Sequence, residues 1–279
     1  MGAKPRGRRR QLARRLKMLR IHRGFTLEDI CQRMRFSRSK LNRIENGENL
    51  IDIHELKSLL DIYGITADRW DEYFELLEAA EQRGWWRAYG LDDKGYVPME
   101  ADASEVRDFT VNYVPGLLQT ADYARALFRA SVAQRDPDQL RKEVSVRMIR
   151  QKRLTSADDP LRLVAIMDES VLSRPVGGPE VMAGQLDRLI EAAALDTVTL
   201  QVLPTELGAH AAMAGVFILL SFGDLGEPDT VYVEHQLGAT QSEKEVDVFR
   251  ATLRFDRLRS DALSPDDSVA LIRRAAERY

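Results

Sequence analysis

The 279-residue sequence contains one cysteine, Cys31, so no disulfide can close within the chain. Its apolar runs, 161–167 and 216–222 among them, fall short of the roughly 20 residues that a membrane-spanning helix needs. No apolar segment of signal-peptide length follows the basic start, and the expectation is a cytoplasmic protein without membrane attachment. Histidine is scarce. Of the four, only His210 and His235 lie beyond residue 83, with Asp168, Glu169 and Glu234 as possible partners but no Ser or Cys in a nucleophile-elbow setting. HExxH, paired CxxC, EF-hand and P-loop patterns are absent, and Gly177-Gly178 reads as a turn because no strand-to-helix glycine pattern surrounds it. These absences predict no catalytic centre, no metal site and no cofactor.

What the sequence does hold is a charge polarity. Residues 1–50 carry 15 Lys and Arg against 4 Asp and Glu, a net of +11, whereas residues 51–279 carry 26 against 40, a net of −14. A basic head on an acidic body is the balance of a chain that grips a polyanion at one end. With 44% hydrophobic and 30% charged residues, both parts have the material to fold, and the length suits two domains, expected at 1–83 and 84–279.

Within the head, Leu12, Leu16 and Leu19 share one helical face, predicting a helix from about Arg8 to Arg23 that ends at Gly24, behind a free basic arm KPRGRRR. Thr26 with Asp29 forms a capping pair for a second helix, and Phe25 is spaced to pack on Ile30. Ile30 and Met34 face inward, with the small Cys31 where two helices must cross closely. Ser37 caps a third helix, Arg38 to Asn46, closed by Gly47; Leu41 and Ile44 point inward and Arg38, Ser39, Lys40, Asn42 and Arg43 outward. Asp52 with Glu55 opens a fourth helix carrying Leu56, Leu59, Leu60 and Tyr63, and Thr66 a fifth reaching about Arg83, with Trp70, Phe74 and Leu77 on one face. Two short helices joined by a tight turn, the second basic on its outer side, are the layout of a DNA-reading helix-turn-helix.

The phrases TLEDICQRM, SxSKLxRIE and NG in this segment resemble the Cro and phage-repressor type of helix-turn-helix, the Xre-like family. The resemblance implies that the helix 38–46 enters the major groove of double-stranded DNA, with Arg38, Ser39 and Arg43 on base edges and Ser37, Lys40 and Asn46 on phosphates. It also implies that Arg20 braces Glu45. Two residues depart from the pattern: Leu27 replaces a phosphate-holding Gln, and Arg35 stands where the turn commonly has Gly.

Gly84-Trp85-Trp86 breaks the helical pattern and marks the expected boundary, the tryptophans being read as an anchor of head on body. Beyond it, 101–109, 121–133, 138–154, 179–194, 243–259 and 266–279 read as helices. The β-rich segments 161–167, 198–203, 216–222 and 230–234 read as strands. A helix between the first two strands predicts a crossover and a parallel pair. The fold expected is thus a mainly α, five-helix head and an α+β body with a small mixed sheet.

Several ordered phrases of the body, VPGLLQT at 114–120, RQKRLT at 150–155, DESVLSRPVGG at 168–178, QLDRL at 185–189 and FILLSF at 217–222, resemble the WhiJ-like regulators of actinobacteria. That likeness implies a homodimeric transcriptional regulator, antitoxin-like, whose body engages a small partner protein made from a neighbouring gene. The residues themselves leave open a second use, a small-molecule effector. Leu117, Gln119, Arg125, Arg150 and Gln151 are the candidate positions for either occupant.

Overall fold

The computed structural model describes residues 4–279. They divide into two compact units, one running through Asp102 and including Gly223–Glu227, the other made of Ala103–Phe222 and Pro228–Tyr279.

The first unit holds helices α1 (Pro5–His22), α2 (Leu27–Met34), α3 (Arg38–Glu45), α4 (Ile53–Ile62), α5 (Asp71–Glu81) and α6 (Tyr96–Asp102). Leu12 and Leu16 of α1 meet Ile30, Leu41, Ile44, Leu56, Leu59, Leu60, Tyr73, Leu76 and Leu77 in one core. Burying each such side chain contributes about 1.5–3 kcal/mol relative to leaving it in water. Gly47, just past α3, sits at φ +69°, and a Cβ there would lie 3.2 Å from the Arg10 backbone, so both conformation and space require glycine.

Three expectations for the head need correction. The basic segment 5–10 is the first part of α1 and not a free arm. Pro5 suits the first helical turn, Arg6 is buried within 3.4 Å of Asp102 and 3.8 Å of Glu227, and Arg10 lies 3.2 Å from Glu227. These acidic partners lie far off in sequence, so local periodicity could not show them. Residues 1–3 of the expected arm lie outside the described residues.

Thr66 makes no side-chain cap. A 3-10 turn over Ala67–Arg69 intervenes, where the Trp70 indole donates to the Ile65 carbonyl at 2.9 Å, and α5 starts only at Asp71. The compact unit also extends past the expected boundary at 83/84. Trp86 is fully buried with its indole nitrogen on Asp93 at 3.1 Å, and a Cβ at Gly84 would fall 2.2 Å from its ring. The Gly-Trp-Trp signal therefore marks a tight turn inside the first unit.

The second unit is built on a six-stranded mixed sheet in the order β3-β2-β1-β4-β5-β6: β1 (Glu105–Thr110), β2 (Arg162–Asp168), β3 (Val198–Leu203), β4 (Phe217–Ser221), β5 (Thr230–His235) and β6 (Gly238–Ser242). β1 runs parallel to β2 and β2 to β3, while β4, β5 and β6 continue antiparallel. Helices α7 (Ala121–Ala130) and α8 (Pro137–Gln151) make the first crossover and α9 (Pro179–Ala193) the second, followed at the end by α10 (Glu245–Asp261) and α11 (Pro265–Ala276). Phe109, Val164, Ile166 and Leu219 from one sheet face pack on Ala251, Phe255 and Leu258 of α10.

The expected helix 101–109 is instead the end of α6 followed by β1. Val106 and Phe109 are wholly buried in a strand flanked on both sides, and pairing of Glu105–Thr110 with Arg162–Met167 outweighs the local helical pattern. β6 was not foreseen because it carries no apolar face. It exists through a tight turn that brings Gly238 opposite His235.

Candidate nucleic-acid interface

The pair α2 and α3 is positioned from its ends inward. The Thr26 hydroxyl accepts the Asp29 backbone N–H at 3.2 Å and the Asp29 carboxylate accepts the Thr26 N–H at 2.8 Å, closing a capping box. The Thr26 hydroxyl also donates to the Asp29 carboxylate at 2.7 Å, and this bond first, then the one from the Thr26 backbone N–H, holds the Asp29 carboxyl below its ordinary range. Ser37 caps α3 by accepting the Lys40 N–H at 3.1 Å. Between the helices the chain turns through Arg35 at φ 55°, the only non-glycine residue with positive φ among those described. The turn thus keeps its left-handed conformation although the usual glycine is missing, and Arg35 bears the steric cost. Leu27, the second departure, is half-buried against the core. Cys31 is half-buried there too, its thiol pushed up mainly by desolvation.

At 3.6 residues per turn, Arg38, Ser39, Asn42, Arg43 and Asn46 fall within an arc of about 140° on α3. All five are exposed, while Leu41 and Ile44 on the opposite side are buried. Glu45 is buried as well, held by Arg20 of α1 through Nε to Oε1 at 2.6 Å and Nη2 to Oε2 at 2.9 Å. A third Arg20 bond, Nη1 to the Phe25 carbonyl at 3.0 Å, ties the start of α2 to the same guanidinium. The outward arc is therefore aimed by α1 and by both caps.

Within the arc, Arg38 lies 3.0 Å from Glu28 of α2, both side chains being mostly in solvent. Such a pair is weak and open to exchange for another anion. Arg43 has no ion-pair partner among the described residues. Lys40 sits on the shoulder of the helix, its ammonium held by the Glu55 carboxylate and 4.2 Å above the Phe36 ring. Of the residues expected on phosphates, Ser37 and Asn46 are exposed, whereas Lys40 is engaged inside the chain. Asn42 was not singled out as a reader, though its place at the middle of the exposed arc was legible from helical spacing alone.

In the body the expected constellation divides. Leu117 and Gln119 are buried, with the Gln119 amide donating to the Val114 carbonyl at 2.6 Å and accepting from Arg147 at 2.6 Å. Gln151 donates to the carbonyls of Gly116 and Gln119, and Gln185 accepts from Thr120 N–H at 2.8 Å and donates to Leu118. Three glutamines thus satisfy the backbone of the 114–120 loop, so its polar residues hold the loop rather than await a ligand. Arg150 lies beside Gly116, but Arg125 is paired with Asp122 on its own helix and does not join them. A different place has room: a cavity of about 270 Å³ at the carboxyl ends of β1, β2 and β3, lined by Val111, Asp168, Thr205, His210, Ala212 and Met213. His210 packs edge-on to Phe109 with centroids 5.6 Å apart, and its Nδ1 accepts the Ala212 N–H at 3.3 Å. No metal-holding group of three or more His, Cys, Asp or Glu occurs among the described residues, and none of their helices is long and apolar enough to cross a membrane.

Residues 11–72 match the family described as Helix-turn-helix domain, and residues 94–274 match the one described as Domain of unknown function (DUF5753). No curated protein and no solved structure matches the chain.

Proposed function

Since the chain belongs to the DUF5753 family and carries a helix-turn-helix domain ahead of that region, we propose that it is a cytoplasmic, sequence-specific transcriptional regulator of the Xre and WhiJ-like kind. The observation that carries the reading is the exposed arc of α3, Arg38, Ser39, Asn42, Arg43 and Asn46, aimed by the buried Arg20–Glu45 pair. The two arginines suit bidentate contact with the O6 and N7 of guanine, and Asn42 suits the N6 and N7 of adenine. Two copies would place their α3 helices in half-sites about 34 Å apart, or a multiple of that. Selection from a random duplex library tests this. A G-containing inverted repeat is expected, and recovery of no consensus at physiological salt would refute sequence reading.

The body is the sensor on this reading. The cavity at the carboxyl ends of the parallel strands favours a small effector there, since open α/β sheets bind ligands in that position. A small partner protein, the occupant the WhiJ-like resemblance implies, is the competing reading. Copurification followed by mass spectrometry separates the two, and recovery of neither removes both.

A further inference from the structure

Helix α10 has two apolar faces, whereas a helix that only covers a sheet needs one. Ala251, Phe255 and Leu258 are buried against the sheet, yet Val246, Phe249 and Leu253 on the opposite side are 59%, 61% and 53% exposed. The spacing of three and then four residues is that of positions a, d and a of a heptad. Glu245 then falls at g and Arg250 at e, both exposed and neither ion-paired among the described residues.

The flanks of this stripe differ in sign. Beside its apolar positions 246–253, Arg250 at e lies along one side, followed by Arg257 at the next e, and Glu245 at g lies along the other; Arg259, at a later g, falls beyond the last apolar position. Two copies packed antiparallel about a two-fold axis would set arginine flank against arginine flank. Packed parallel, they set each basic flank against an acidic one, and the g residue meets the e residue five positions on in the partner. The stripe is thus complementary to itself in a single orientation.

We propose that the outer face of α10 is the seam of a homodimer, a short parallel coiled coil with Val246, Phe249 and Leu253 in contact and Glu245 paired with Arg250 of the partner subunit, twice by symmetry. Asp256 at the next d position would face its own copy, and this ends the seam after Leu253. The helix is already held by the sheet, so association bears no cost of nucleating it. With few apolar positions per chain, the dimer is concentration-dependent. The inference rests on the dimeric form of the regulator proposed above and names its surface.

Sedimentation velocity of the full chain tests it. Glu245→Arg and Arg250→Glu each replace two attractions by two repulsions and should raise the dimer dissociation constant about tenfold or more. The double variant, and an equimolar mixture of the two single variants, should regain the parental value. Circular dichroism should be unchanged throughout, because both positions are exposed. Single variants that dimerise like the parent, or a double variant that stays weak, would overturn the seam while leaving a dimer standing. A parent that is monomeric across the concentration range would overturn the dimer itself. DNA selection by α3 is read separately, since a monomer can still bind one half-site.

Discussion

Arg20 and Glu45 are joined by two parallel hydrogen bonds of 2.6 and 2.9 Å, with side chains 10% and 3% exposed. The pair fastens the last turn of α3 to α1 and so sets the direction in which the exposed arc of α3 points. Removing one member strands the other charge in a dry site. Glu45→Ala should cost about 3–5 kcal/mol in urea unfolding, and Glu45→Gln, which keeps an acceptor, should cost less. A loss below about 1 kcal/mol for the alanine variant, the scale of an exposed pair, would mean that the contact is ornamental.

Arg35 holds the left-handed conformation at φ 55° in the turn between α2 and α3. An L-residue there carries about 1–2 kcal/mol of steric cost that glycine escapes. Arg35→Gly should therefore raise the stability of the first unit by about 1 kcal/mol, less the extra entropy that glycine gives the unfolded chain. Thermal unfolding reads the change. A clear drop in Tm would show that the Arg35 side chain makes a compensating contact.

The exposed arc gives a graded set of binding outcomes. Arg38→Ala and Arg43→Ala should each lose about 1–3 kcal/mol of operator affinity and relax one base position, and Asn42→Ala should relax a neighbouring one. Lys40→Ala should change affinity less than either arginine, because its ammonium is held by Glu55. Glu28→Ala should tighten binding modestly by freeing Arg38 and removing a negative charge. Fluorescence anisotropy on operator and scrambled duplexes measures all five. Unchanged specificity for Arg43→Ala would remove it from the readers.

Asp102, fully buried in the first unit beside Arg6 and Glu227, is pushed up to about 7 by desolvation, with Arg6 opposing and Glu227 adding to the rise. A carboxyl with a folded value above its unfolded value of about 3.9 binds its proton more tightly when folded. Its contribution to stability is then full below about pH 4 and is lost as the pH climbs toward 7. The urea midpoint should fall across that window in the parent and fall less in Asp102→Asn, the variant being the more stable at pH 8. Parallel pH profiles for the two would contradict the assignment.

Much of the head was legible because its signals are local. Thr26 with Asp29, Ser37 before Arg38 and Gly47 after Asn46 specify helix ends through bonds spanning two to five residues, and these formed as the residues imply. Leu12 with Leu16, Leu41 with Ile44, and Leu56 with Leu60 each repeat at helical spacing within one helix, and all are buried. The strands β2 to β5 were visible as short apolar, β-branched runs, whereas β1 and β6 were not. β1 carries Arg107 and Asp108 among its apolar residues, and β6 has no apolar residue larger than alanine.

The sequence by itself determined a basic helix-turn-helix with its caps, its core positions and most of its outward residues, because each depends on neighbours within a turn or two. Tertiary structure alone decided that residues 5–10 are helix, that Lys40 is spent on Glu55, that Gln119 and Gln151 hold a loop, and that α10 shows a second apolar face. Those outcomes hang on partners between 15 and more than 200 residues away, and only folding brings such distant groups within reach of a hydrogen bond or an ion pair.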